Sequence, residues 1–120
     1  MKTLLPFLTL IFFGVATEPS LFIEKQTISI TLKKGKKVKV TVPIVNKGDK
    51  PLIIYAVEPT CGCTVSQFPS NPIAKNEKQN IYLEFSSVHK PVGRNTVYIT
   101  IKSNTPYKFS KLVLSATVTK

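Results

Sequence analysis

Apolar and polar residues alternate one by one along most of this chain. Ile28, Ile30 and Leu32 are separated by Ser29 and Thr31, and Val38, Val40, Val42 and Ile44 by Lys39, Thr41 and Pro43. The same period of two runs through Ile81, Leu83 and Phe85, through Val97, Ile99 and Ile101, and through Leu112, Leu114, Ala116 and Val118. Leu52 to Val57 is a nearly continuous apolar run. A strand turns successive side chains to opposite faces, so each segment predicts a strand with one face on a core. β-Branched residues dominate them, and no stretch carries a helical period.

Turn formers separate the runs: Lys34-Gly35, Lys47-Gly48-Asp49-Lys50-Pro51, Ser70-Asn71-Pro72, Pro91-Val92-Gly93 and Ser103-Asn104-Thr105-Pro106. About seven short strands at this spacing predict an all-β fold, an immunoglobulin-like sandwich of two antiparallel sheets. Tryptophan is absent, and both cysteines lie in one short segment, so an inter-sheet disulfide is impossible. The aliphatic core must hold the sheets together. Pro43, midway along a strand pattern, predicts an edge or a bulge there.

The N-terminus breaks the pattern. Lys2 precedes an apolar stretch from Leu4 to Val15, and Gly14-Val15-Ala16 offers small residues at a cleavage site. The stretch is too short for a spanning helix, which needs about 20 residues. It predicts a secretory signal peptide over residues 1–16 and one sandwich domain over residues 17–120. The protein is then exported, to the periplasm, the cell surface or the medium. No second long apolar run follows, so no transmembrane segment is expected in the mature chain.

The charge is strongly basic, +11 at neutral pH. Its one dense cluster is Lys33, Lys34, Lys36, Lys37 and Lys39 around Gly35. This reads as a solvated turn whose lysines oppose edge-to-edge pairing, with an anion-binding patch as the alternative. Nucleic acid is a poor partner, because Arg94 is the one arginine and no aromatic residues interleave with the lysines. An anionic envelope component or a protein suits an exported chain better.

Cys61 and Cys63 flank Gly62, and no third thiol exists. Four readings are open. The pair can close into a disulfide, as thiols do in oxidising compartments, although so short a loop gains only about 1.6 kcal/mol. Two thiolates on one face can hold a soft metal such as Cu(I). Structural zinc needs four ligands, and the chain could add only His89. A catalytic thiol would need that same His89 as its base, and a nearby Glu58 would disfavour the thiolate. The fourth reading is two small side chains packed at a strand end, with Gly62 making a turn. The acids Glu18, Glu24, Asp49, Glu58, Glu77 and Glu84 are scattered, and no catalytic motif is present.

The segment "VPIVNKGDKPLIIYAVEPTCGCT" resembles an exported bacterial family of unknown function marked by a Cys-Gly-Cys-Thr motif. Asn46 and Gly48 match its turn, Pro51 to Ile54 its apolar strand, and Cys61, Gly62, Cys63 and Thr64 its motif. Pro72-Ile73 and Ser103-Asn104 match two later turns. The likeness covers about Ile28 to Val118. It implies a sandwich like those of major sperm protein and the pilus chaperones, and no reaction. The expectation is therefore a non-catalytic module for binding or structural assembly in the bacterial envelope. The alternative is a thiol redox or soft-metal protein using Cys61 and Cys63. No cofactor is expected outside that second reading.

Overall fold

The structure, a computed structural model, describes residues 17–120; the expected signal peptide lies outside the described residues. The strands are β1 (Leu21–Ile23), β2 (Thr27–Lys33), β3 (Lys37–Asn46), β4 (Ile54–Pro59), β5 (Thr64–Gln67), β6 (Lys78–Ser86), β7 (Gly93–Ser103) and β8 (Phe109–Thr119). They form two four-stranded sheets, ordered β1-β3-β6-β5 and β2-β8-β7-β4. The alternation read from the sequence supplies both inner faces. Val42, Ile44, Ile81, Leu83 and Phe85 from the first sheet meet Val97, Ile99, Ile101, Leu112, Leu114 and Ala116 from the second. Each fully buried aliphatic or aromatic side chain contributes about 1.5–3 kcal/mol. This is the immunoglobulin-like sandwich that the alternation predicts.

The pairing departs from expectation in one place. β2 runs parallel to β8, with Ser29 beside Ser115 and Thr31 beside Thr117. The chain leaves β1 in one sheet and enters β2 in the other, so no hairpin dictates the direction. Alternation is the same in parallel and antiparallel pairs, and the sequence carries no sign of the difference.

Three elements also differ in extent. β1 has 3 residues and β5 has 4. Neither is long enough to display a period, and neither was expected. The apolar run from Leu52 does not form one strand. Leu52 bridges Ile73 alone, and β4 starts at Ile54 with a register shift between Ile54 and Ala56. Ile54 and Val57 are both buried although three residues apart. An extra residue in the bulge puts both on the core side.

Pro43 explains where β1 stops. β3 lies inside its sheet, but β1 covers only its Ile44–Asn46 end. Lys47 N–H donates to Ser20 O, and Asn46 N–H to Glu77 O on the opposite side. Backbone groups alternate along a strand, so odd-numbered residues of β3 face β1's side. The next hydrogen-bonded pair for β1 would be Pro43 with Glu24, and Pro43 has no N–H to give. The chain crosses to the other sheet there, and β3 is a free edge from Lys37 to Pro43 among the described residues. The expected edge is thus present along that part of β3 only.

Candidate functional site

Cys61, Gly62 and Cys63 form the crossing from β4 to β5, that is, from one sheet to the other. Each side is anchored. Thr60 N–H donates to Tyr98 O on β7, and Ser86 N–H donates to Cys63 O on β6, both at 2.9 Å. The Thr60 hydroxyl accepts a further bond from Tyr98 N–H at 3.2 Å. Thr64 N–H donates to Cys61 O at 3.2 Å and closes the turn. The two sulfurs are bonded to each other, with the Cα atoms 5.2 Å apart. Cys63 N–H points at Cys61 Sγ, 3.1 Å away, and the buried Thr64 places its hydroxyl 3.6 Å from Cys63 Sγ.

Both cysteines are half-buried against the core, whereas Gly62 is exposed. Nothing in the backbone at Gly62 demands a glycine. Its φ lies outside the left-handed region, and a Cβ there would meet open space. Joined sulfurs carry no thiolate, so nucleophilic attack or metal ligation at this crossing requires prior reduction. His89 is exposed in the turn after Ser87 and makes no hydrogen bond to either cysteine among the described residues. Glu58 is also exposed, opposite Thr100 on β7. Among the described residues no three His, Cys, Asp or Glu side chains gather as a metal cage.

Lys33, Lys34, Lys36, Lys37 and Lys39 all stand exposed, as both a solvated turn and an anion-binding patch require. The turn itself is firmly built. Gly35 has φ 85°, which favours glycine. The buried Ser87 hydroxyl donates to Lys33 O at 2.8 Å, with Lys36 O 3.0 Å away, and accepts from Lys36 N–H at 3.0 Å. Ser87 N–H donates to Lys36 O at 2.9 Å. Sequence reasoning missed Ser87, since a lone serine after a strand carries no signal of a partner some fifty residues away.

The two candidate sites share one end of the sandwich. Cys63 bonds to Ser86, and Ser86 stands opposite Lys37 in the ladder. The other end is structural. Asn46 is fully buried, donates to Lys50 O and Ile73 O at 2.7 and 2.9 Å, and accepts from Gly48 N–H and Ser20 N–H at 2.9 and 3.3 Å. Asn104 accepts from Ile53 N–H at 2.8 Å and donates to Pro51 O at 3.0 Å. A Cβ on Gly48 would collide with the backbone of Glu18 to Ser20. Beside this end lies an open groove of about 460 Å³ lined by Glu18, Leu21, Lys47, Asp49, Tyr107 and Phe109.

The profile of a family described as protein of unknown function (DUF1573) matches residues 21–118. No curated protein matches the chain. Among solved structures, a protein of unknown function from Porphyromonas gingivalis W83 is similar at TM-score 0.73 and 13% identity, over 91% of this chain and 51% of that one. The ASH / PapD-like domain 7 of human CEP192 is similar at TM-score 0.68 and 11% identity, over 87% and 88%. The periplasmic chaperone SfaE is similar at TM-score 0.63 and 10% identity, over 84% and 59%. This chain therefore spans only a little over half of the P. gingivalis protein and of SfaE. At these identities the likeness is one of fold, a PapD-like sandwich.

Proposed function

The chain belongs to the DUF1573 family, and from that premise we propose that it is an exported, non-catalytic module for protein binding or structural assembly in the bacterial envelope. One observation carries the reading. Phe22 and Tyr82 of the β1-β3-β6-β5 sheet are 47% and 49% exposed, but Tyr55, Tyr98, Tyr107 and Phe109 are more so, at 55%, 56%, 89% and 56%. All four belong to the β2-β8-β7-β4 sheet or to its β7–β8 turn. A surface that keeps aromatic side chains in water suits contact with another protein. The joined cysteines accord with an oxidising compartment. The likeness to a periplasmic chaperone supports the same direction.

The test uses protein recovered from its native cell. The reading expects a mature N-terminus near Thr17, recovery with the envelope, and cross-linking to another protein that Tyr98→Ser with Tyr107→Ser abolishes. An intact Met1 on a free cytosolic chain would overturn it.

A second reading rests on the bonded Cys61–Cys63 pair at an exposed crossing. A partner dithiol would pass two electrons to it, forming two thiols here and a disulfide on the partner. The liberated thiolates could then take a soft metal. Thiol titration of the protein after equilibration in graded dithiol buffers, with metal analysis, decides this. Thiols that never appear, and no metal retained after reduction, remove the reading.

A further inference from the structure

Four side chains of the core periphery are only half-buried and lie along one seam. Ile28 and Ile30 face inward from β2, and Val38 and Val40 face inward from β3. These two strands are the open borders of the two sheets on the same side of the sandwich. β2 is the last strand of its sheet, and β3 loses its neighbour where β1 ends at Ile23. One end of the seam is closed by the crossing from β1 to β2, residues 24–26, and the other by the lysine turn between β2 and β3.

The free stretch of β3 has backbone groups to offer. Asn46 N–H donates to Glu77 O, and Ser87 N–H to Lys36 O, so even-numbered residues of β3 pair with β6. The register runs unbroken between these points. The N–H groups of Lys37, Lys39 and Thr41 therefore face outward, and among the described residues no strand receives them. Their side chains stand on the outer face of the sheet. Lys33, Lys34 and Lys36 add positive charge at the end where the stretch begins. Glu84 lies opposite Lys39 and Glu24 sits at the far end, so the excess is basic at the lysine turn.

Resting on the binding-module reading, we propose that this seam takes an extended acidic segment of a partner protein as an added strand on β3. The segment alternates apolar residues, which cover Ile28, Ile30, Val38 and Val40, with acidic residues that meet the lysines. It runs antiparallel to β3, continuing the line that β1 abandons, and its C-terminal end arrives at the lysine turn. Charge selects this occupant. A second copy of this chain, at +11, would bring lysines against lysines. Backbone pairing supplies affinity in such a contact, and the alternate side chains supply choice.

The test uses the acetylated peptide Val-Glu-Val-Glu-Val-Glu-Val as probe, with the Val-Lys counterpart and poly-glutamate as controls. Binding is read by fluorescence anisotropy, and the contact by amide hydrogen exchange of the protein. Expected are saturable binding of the Val-Glu peptide, at least tenfold slowing of exchange at Lys37, Lys39 and Thr41, and no binding of the Val-Lys peptide. Thr41→Pro removes one outward N–H without breaking a bond to β6, and should weaken binding at least tenfold. Should that variant unfold, the exchange footprint of the unaltered protein decides alone. Changing Lys33, Lys36 and Lys37 to Ser should weaken binding and flatten its salt dependence.

Equal binding of poly-glutamate with no slowing at β3 would overturn the proposal in favour of a plain anion patch. Slowing confined to β2 would overturn the choice of edge. An unaltered protein that binds no peptide, together with a lysine variant that self-associates, would overturn the proposal and leave the lysines as guards against edge pairing. Any of these leaves the module reading standing, because that reading is tested by cell fractionation and cross-linking through Tyr98 and Tyr107.

Discussion

Asn46 shows what one buried polar side chain can do when every hydrogen-bonding position is used. Its four partners come from three separated segments, around Ser20, Gly48 to Lys50, and Ile73. Asn46→Ala would strand two carbonyls and two N–H groups, so we expect a loss of about 2–4 kcal/mol, at the upper end of single substitutions. Urea denaturation measures it, and a loss under about 1 kcal/mol would mean that water replaces the amide without cost. Glu77 works nearby on a smaller scale. Ala74 N–H donates to its carboxylate at 2.7 Å and Gln79 Nε2 at 2.8 Å, and these bonds hold its pKa below the ordinary 4.5. The folded value is the depressed one. Its stabilising contribution is present above the unfolded pKa and is lost as pH falls through the folded pKa. Glu77→Gln should therefore differ from the parent at neutral pH and converge with it once the pH has fallen from 4.5 through the lowered folded pKa. Melting curves across that window check the sign. A difference that widened in acid would refute the assignment.

At the scale of elements, the two connections at the lysine end behave differently. The β2–β3 turn hangs on Ser87, whose hydroxyl meets Lys33 O and Lys36 N–H. Ser87→Ala leaves those groups only their own 3.2 Å bond to each other and should cost about 1–3 kcal/mol, with exchange speeded more at Lys36 N–H than within β3. Uniform loss across the sheet, with no local effect, would assign Ser87 to the core alone. The β4–β5 crossing is less dependent on its covalent bond. Thr60 and Cys63 are tied to β7 and β6 by backbone bonds that do not involve the sulfurs. The bond closes so short a loop that changing Cys61 and Cys63 both to Ser should cost under about 2 kcal/mol and keep the sandwich. Circular dichroism with denaturant titration tests this; failure to fold would make the half-buried sulfurs part of the core.

At the scale of the whole molecule, the alternation of Ile81, Leu83 and Phe85, and of Val97, Ile99 and Ile101, was enough to determine strands, a two-sheet core and hence the sandwich. Burial of one face of a strand depends on nearest neighbours in sequence, so the chain displays it openly. The closeness of Cys61 to Cys63 was legible for the same local reason, and so was the lysine turn. Tertiary structure decided everything that joins distant residues. It set β2 parallel to β8, made Ser87 the anchor of the lysines, gathered both candidate sites at one end, and opened the seam where Pro43 turns β1 away. Of these, the edge at Pro43 alone left a local trace, a proline inside a strand pattern. Each depends on which backbone groups meet across the sheets, and residues such as Ser87 and Pro43 declare their partners only when the strands are already paired.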